Sequence, residues 1–503
     1  MRTVMCTALL CSTALRTHCA PQPLLAVADP PLRAVVVGGG PAGGAAALAL
    51  HRLGWSVKVF EKRSDWEADS RSAWSVTLTK RAFDTLEALD VDCAELEGMQ
   101  LEGMVIMGAA PGGKPISSPM QFRNINLSTQ RIAKLLIRTA RERGIEVGFE
   151  HECLGVNQRR DDAPSCVRFL RSDGKLVEEE AELVVGADGA NSAVRASLQR
   201  SAFGFEVVQD FEGSPQFRIA TLATDGSTQR LAQGRPALDG VGKGGQLQAV
   251  GAALYTSFGA DAGVILSPNI DGSVSIVATE TLFADAPTPT PRDDGAAAVR
   301  AALEAKVPNV AAYVCGVPGA CAALAAARPL AGKTVRCSSF AHGGVVLVGD
   351  AAHTMLNSLG QGANCALEDV SLLADALAPV AAPAAVAPAL RGFSERRKRD
   401  ADAAAALSKR AFTISPLLPR ALNQLVHLLF YRAFQKLYAL TRLPPLMPWQ
   451  SAVNVDVGRP YAAIARAKIV QDAAGLAAVA ALLAAAAKVA VAAAKVAIAA
   501  AGM

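Results

Sequence analysis

Short β-branched runs alternate with longer Ala- and Leu-rich stretches through much of the chain. Ala34 to Val37 is an apolar run of strand length that ends at glycines; such a run predicts a buried strand. The stretch Gly44 to Leu53 predicts a helix, and Ser56 to Phe60 a second strand. Leu183 to Val185 and Val345 to Val348 are further apolar runs, and each delivers an Asp at its carboxyl end before a helix begins. The second of these helices is expected to run to about Leu377. Strands and helices alternating in this way predict an α/β fold.

The two ends break the pattern. Residues 1–28 contain no acid but carry Arg2, Arg16 and several Ser, Thr and Cys. Their apolar stretch, Val4 to Leu15, is too short to span a bilayer. The segment reads as a targeting peptide, for a plastid or mitochondrion or for secretion, and reduced thiols favour the organelle. At the other end, Leu476 to Ala501 is almost entirely Ala, Val, Leu and Ile, interrupted by Lys488 and Lys495. The unbroken part before Lys488 falls short of the ~20 residues of a membrane span. The expectation is a helix that packs on the protein or lies at a membrane surface.

Composition narrows the class. The chain has 503 residues, 51% of them hydrophobic and 19% charged, which supports a large core and excludes a disordered chain or a disulfide scaffold. A net charge of +5 spread over that length gives no basis for nucleic-acid binding. The ten cysteines are irregularly spaced with no CxxC pair, so reduced thiols and no structural metal are expected.

Chemistry enters at the first strand. It runs into Gly38-Gly39-Gly40-Pro41-Ala42-Gly43, followed by a helix and then a second strand that ends at Glu61-Lys62. This is the layout of a dinucleotide-binding unit. Gly38 makes the tight turn, Gly40 lets the backbone approach a pyrophosphate, and Gly43 lets helix and strand pack closely. The helix N-terminus attracts the phosphates. Glu61, about twenty residues after Gly40, can accept hydrogen bonds from ribose hydroxyls. Two further signals are Gly186-Ala187-Asp188-Gly189 after the third run, and Gly349-Asp350-Ala351-Ala352-His353 after the fourth. The latter is followed by Gly360-Gln361-Gly362-Ala363-Asn364. Taken alone, each Asp-Gly or Gly-Asp piece is equally an ordinary turn.

In this order and spacing, from about Arg33 to about Arg466, the three motifs resemble the FAD-dependent aromatic hydroxylases, the single-component flavoprotein monooxygenases. Arg71-Ser72 with Leu78, Leu266 to Asp271 and Gly360 to Asp369 make the likeness strongest to the kynurenine 3-monooxygenases. The resemblance implies a Rossmann-like FAD-binding domain, an inserted β-sheet substrate domain and a C-terminal helical region. The implied divisions are a targeting segment (1–32), FAD-binding parts (33–105, 128–204, 331–400), substrate-domain parts (106–127, 205–330) and a helical end (401–503). It implies that Gly38, Gly40, Pro41, Ala42 and Gly43 cradle the FAD pyrophosphate, that Glu61 and Lys62 meet the adenosine end, and that Arg71 lies near the flavin chain. Asp188 and Gly189 match a motif tied to both FAD and NAD(P)H. Asp350 would meet the ribityl hydroxyls, and Gly360, Gly362, Ala363 and Asn364 the flavin ring. Arg131, beside Thr129 and Gln130, falls near the family's Arg or Gln contact.

The implied reaction is NAD(P)H- and O2-dependent hydroxylation or epoxidation of an aromatic or polyene small molecule through a flavin hydroperoxide. It needs neither a triad nor a metal. His353 is read as a structural contact. Met104, Met107, Met120 and Phe122 are read as pocket or core with equal weight. A flavin-dependent reductase of an isoprenoid chain and a non-catalytic binding protein are the competing readings.

The family pattern is also broken in places. Asn357 stands where a Pro is usual. The positions of the Arg, Tyr and Asn that hold kynurenine in its monooxygenases match Met104, Met120 and Ala411. A buried carboxylate without a cation is costly, so kynurenine itself is expected to bind poorly unless Arg123 or Arg218 substitutes.

Overall fold

A computed structural model describes residues 30–65, 75–107, 116–119, 123–158, 163–210, 216–222, 253–258, 263–270, 272–283, 295–316, 319–331, 333–410, 430, 433–434, 436–443, 447, 449–455 and 458–500. Residues 1–29 of the targeting segment, Arg71, Met120, Phe122 and Ala411 lie outside them.

The chain opens with β1 (Arg33–Val37), α1 (Pro41–Arg52), β2 (Ser56–Phe60), β3 (Ser75–Leu78) and α2 (Lys80–Ala88). It continues through β4 (Gly103–Met107), β5 (Ile116–Pro119), β6 (Ile125–Ser128), α3 (Thr129–Glu142) and β7 (Glu146–Gly148). Next come β8 (His151–Asn157), β9 (Ser165–Arg171), β10 (Leu176–Ala181), β11 (Leu183–Gly186) and α4 (Ala193–Ser201). Strands β12 (Val207–Asp210), β13 (Gln216–Leu222), β14 (Ala253–Phe258), β15 (Gly263–Pro268) and β16 (Val274–Thr279) precede α5 (Gly295–Lys306), α6 (Pro308–Gly316) and α7 (Ala320–Ala326). Strands β17 (Leu330–Ala331), β18 (Thr334–Cys337), β19 (Ala341–His342), β20 (Val345–Leu347) and β21 (His353–Thr354) lead to α8 (Gly362–Leu377), α9 (Pro383–Lys409), α10 (Trp449–Val455) and α11 (Tyr461–Ala500).

Two sheets organise the molecule. The first has the order β19-β20-β11-β1-β2-β7, with parallel pairing from β20 to β7. Its central strands are apolar on both faces because both are covered, one by α1 and the other by the antiparallel sheet β10-β9-β8. All three Gly-rich or Asp-bearing turns leave the carboxyl ends of neighbouring strands β1, β11 and β20, which is where ligands bind in such sheets.

The second sheet, β17-β13-β16-β15-β14-β4-β5, has its own core under α5, α6 and α7. β4 straddles residue 105, the expected end of the first FAD-binding part, and belongs whole to this second sheet. Likewise α9 runs unbroken across residue 400 to Lys409.

Helix α11 is 40 residues long. Its first turns pack through buried Tyr461 and Ile464, while Val489 and Val491 further along are exposed. These packed turns precede Leu476; within the stretch expected to pack on the protein or lie at a membrane surface, the described side chains are mostly exposed.

Candidate functional site

Close packing at glycines builds the turn after β1. Gly38 has φ +103, and a Cβ there would lie 2.5 Å from the Ala187 carbonyl oxygen. A Cβ on Gly43 would lie 1.8 Å from the Gly38 carbonyl oxygen and 3.4 Å from Ala187 Cβ. These two residues thus draw the start of α1 down onto the ends of β1 and β11. Gly40 differs: a Cβ there meets nothing within 4 Å, and the same holds for Gly189, Gly360 and Gly362. The glycines of the site divide into those that close the backbone and those that border open space.

The Gly349–Asp350 turn joins this arrangement. Gly349 has φ +58, and a Cβ on it would touch Ala366 of α8 at 3.1 Å and Ala42 of α1 at 3.3 Å. The starts of α1 and α8 therefore flank Asp350. Neither helix has a side-chain cap or an acid in its first turn, so backbone N–H groups and the positive ends of two dipoles are free to meet an anionic or electron-rich ligand. The Asp350 carboxyl is open on one side and surrounded by protein on the others. That burial raises its pKa; Asp369 adds to the rise, whereas His353 and Arg195 oppose it.

Glu61 is 6% exposed at the end of β2. Its Oε2 accepts the Gly39 N–H at 2.7 Å and its Oε1 the Arg63 N–H at 3.0 Å. This fixes the carboxylate beside the glycine turn, with Lys62 exposed next to it. Asp188 serves its own helix: Oδ2 accepts the N–H groups of Ala193 (2.6 Å) and Val194 (3.2 Å) at the start of α4. Its Oδ1 is buried without a partner, and burial raises its pKa against those hydrogen bonds. Arg195 of α4 crosses to the Ala351 carbonyl (2.9 Å), linking the Asp188 turn to the Asp350 turn.

Two of the expected residues take roles that their positions in the chain did not disclose. The Asn364 side chain accepts from Thr79 N–H (2.8 Å) and donates to the carbonyls of Thr77 (2.9 Å) and Gly360 (3.0 Å). It locks β3 to the start of α8, which leaves Gly362 and Ala363 to offer backbone at the open side. Arg131 donates to the carbonyl (2.8 Å) and carboxylate (3.2 Å) of Glu97, and its N–H is capped by Ser128.

A buried charge network lies under the Asp350 turn, and of its members only His353 was expected to make a structural contact. Asp369 Oδ2 accepts from Gly349 N–H (2.7 Å) and pairs with His353 Nε2 (2.8 Å), while its Oδ1 accepts from Arg397 Nε (2.6 Å). Burial works to raise the Asp369 pKa, but the charges and hydrogen bonds of His353 and Arg397 outweigh it and hold the carboxyl down at about 2. His353 therefore belongs to a structural pair, with its Nδ1 buried and unpartnered. His353, Cys365 and Asp369 present ligand atoms within 4.8 Å of one another. The Arg397 guanidinium occupies that position, donating also to Cys365 Sγ at 3.1 Å. Nothing local in the chain marks Asp369 and Arg397 as partners, or singles out Arg195 or Thr79.

The residues fit FAD. Open space lies beside Gly40, Gly360 and Gly362, two uncapped helix starts border it, and Glu61 and Asp350 supply acceptors at separate points for hydroxyl groups.

Comparison with known proteins agrees with this geometry. The chain matches a family described as FAD binding domain over residues 32–218 and 296–408. It is 32% identical to violacein synthase of Chromobacterium violaceum over 372 residues, covering 69% of this chain and 77% of that protein. It is 29% identical to kynurenine 3-monooxygenase of Salinispora tropica over 470 residues, covering 89% and 94%. Among solved structures, tetrameric 2-methyl-3-hydroxypyridine-5-carboxylic acid oxygenase superposes with a TM-score of 0.57 at 20% identity, covering 86% of this chain and 96% of that one.

Proposed function

The chain belongs to the FAD binding domain family and is an FAD-dependent monooxygenase; from that premise we propose that it uses NAD(P)H and O2 to hydroxylate or epoxidise an aromatic or polyene small molecule. The observation that carries this is the meeting of the α1 start, the Asp350 turn and the α8 start, with open space beside Gly40, Gly360 and Gly362. FAD, when bound, supplies the redox and oxygen-transfer chemistry. The protein's part is to bind, orient and exclude water. N–H groups at the start of α1 receive the pyrophosphate, Glu61 and Asp350 accept from hydroxyls, and the α8 start stabilises negative charge on the ring it faces.

The test is to purify the protein, record its flavin spectrum and follow NADH and NADPH oxidation against a panel of aromatic compounds. A stimulated rate with a product heavier by one oxygen atom supports the reading. Nicotinamide oxidation with a hydrogenated product and no matching oxygen consumption would make it a reductase.

We further propose that α11 associates with a membrane and that residues 1–28 direct import into a plastid or mitochondrion. The most apolar 18-residue window of this helix has a mean hydropathy of 2.2, and the part beyond Gly475 is about 37 Å long at ~1.5 Å per residue. Flotation of the full chain with vesicles, lost on truncation after Gly475, checks the first; a reporter fusion that stays in the cytosol would refute the second.

A further inference from the structure

The second sheet has two unlike faces. Leu266, Ile276 and Ala220 stand opposite one another in register and are buried under α5, α6 and α7. Side chains alternate along a strand, so the neighbouring positions face the other way. There they form two rows: Ile219, Val277 and Ile265 make an apolar one, and Thr221, Ser275 and Ser267 make a hydroxyl one. Met104 joins this face, because its neighbour Val105 is in the buried core. Ile219, Val277, Ile265 and Met104 are only half-buried and Thr221 is exposed, so the face is partly open.

Its direction follows from hydrogen bonds. Ser75 of β3 lies 3.3 Å from both Ser275 Oγ and Asn269 Oδ1. Two residues on, about 7 Å of strand, the Thr77 carbonyl accepts from Asn364 at the start of α8. The two rows therefore look toward the end of α8 where a flavin ring would lie.

Resting on the monooxygenase reading, we propose that this face is the substrate-contacting wall and that it selects an uncharged planar aromatic molecule bearing an N–H or hydroxyl, over one bearing an amino-acid carboxylate. The apolar row offers contact area, and the exposed Thr221 offers an uncharged hydroxyl at the end of a row whose Ser275 is buried and held by Ser75, Asn269 and Thr221. Among the described residues, the two cations named above as substitutes for a carboxylate clamp are engaged elsewhere. Arg218 sits on the helix-covered face, holding Glu280 through two bonds of 2.7 Å and the carbonyls of Leu324 and Ala325. Arg123 lies over the Phe83 ring at 4.0 Å and pairs with Glu87.

The test is ligand binding to the purified FAD-bound protein, read as a perturbation of the flavin absorbance. Indole is expected to bind roughly ten- to a hundredfold more tightly than indole-3-carboxylate or kynurenine, the range set by one missing charged hydrogen bond. Met104→Arg should narrow or reverse that preference; Thr221→Arg, at the exposed end of the hydroxyl row, is the second variant should the first not fold. Equal or tighter carboxylate binding by the unaltered protein overturns the proposal, as does an unchanged preference in a folded, flavin-bound variant. A protein that takes up no flavin would instead refute the monooxygenase reading beneath it.

Discussion

Asp369→Asn removes the charge from a carboxylate that is 1% exposed and receives three donors, Gly349 N–H, His353 Nε2 and Arg397 Nε. An amide accepts through its oxygen only, so its NH2 group must face at least one of those donors. Against the effect of burial, the charges of His353 and Arg397 hold the folded carboxyl down at about 2, below the ~3.9 of an unfolded Asp, a depression that corresponds to about 2–3 kcal/mol. Removing one partner of a buried pair usually costs about 3–5 kcal/mol. Here Arg397 keeps Glu368 and Asp400, each at 2.9 Å, which softens the loss. A destabilisation of about 2–4 kcal/mol at pH 7 is expected. A depressed carboxylate stabilises the fold above its unfolded pKa of ~3.9, and that stability is lost as pH falls toward 2. The gap between wild type and variant should therefore stay constant from pH 8 to 5 and begin to close only below about pH 4. Urea unfolding reads the gap as a lower midpoint with unchanged slope. Freeing Gly349 N–H also loosens the turn that presents Asp350, so FAD affinity should fall about tenfold, the equivalent of one hydrogen bond. A loss below 1 kcal/mol with unchanged FAD affinity would refute the reasoning.

Glu61→Ala should yield a folded but colourless protein, since the acceptor at the end of β2 is gone; a normal flavin spectrum after purification would contradict this. Asp350→Ala should weaken FAD or raise nicotinamide oxidation not matched by product, checked by FAD titration and by product-to-nicotinamide ratio. Gly43→Ala places a Cβ 1.8 Å from a backbone oxygen and should prevent correct folding. Gly40→Ala meets only open space and should leave the melting temperature of the FAD-free protein unchanged while lowering FAD affinity; equal behaviour of the two alanine variants in solubility and melting would refute that division.

Local pattern alone determined much of the first domain. Ser56 to Phe60 is a strand with those very ends, and the helix expected to reach about Leu377 stops there. Short apolar runs ending in glycine leave the backbone few alternatives, so the acids at strand ends, Glu61, Asp188 and Asp350, were legible as well. What those acids bond was not. Asp188 turned out to cap its own helix, Asn364 to lock β3 287 residues away, and Arg131 to reach Glu97. The network of Asp369, His353 and Arg397 carries no periodic signal, because a buried charge is defined by partners that only packing brings together. The same holds for Arg218 and Met104. Their residue types were plain, but which face each occupies depends on strand register, and one position of slip exchanges the faces. Tertiary structure therefore decided that Arg218 turns toward the helices, while Met104 and the hydroxyl row turn toward the start of α8. Register is set by pairing between strands far apart in the chain, and no local stretch of sequence contains it.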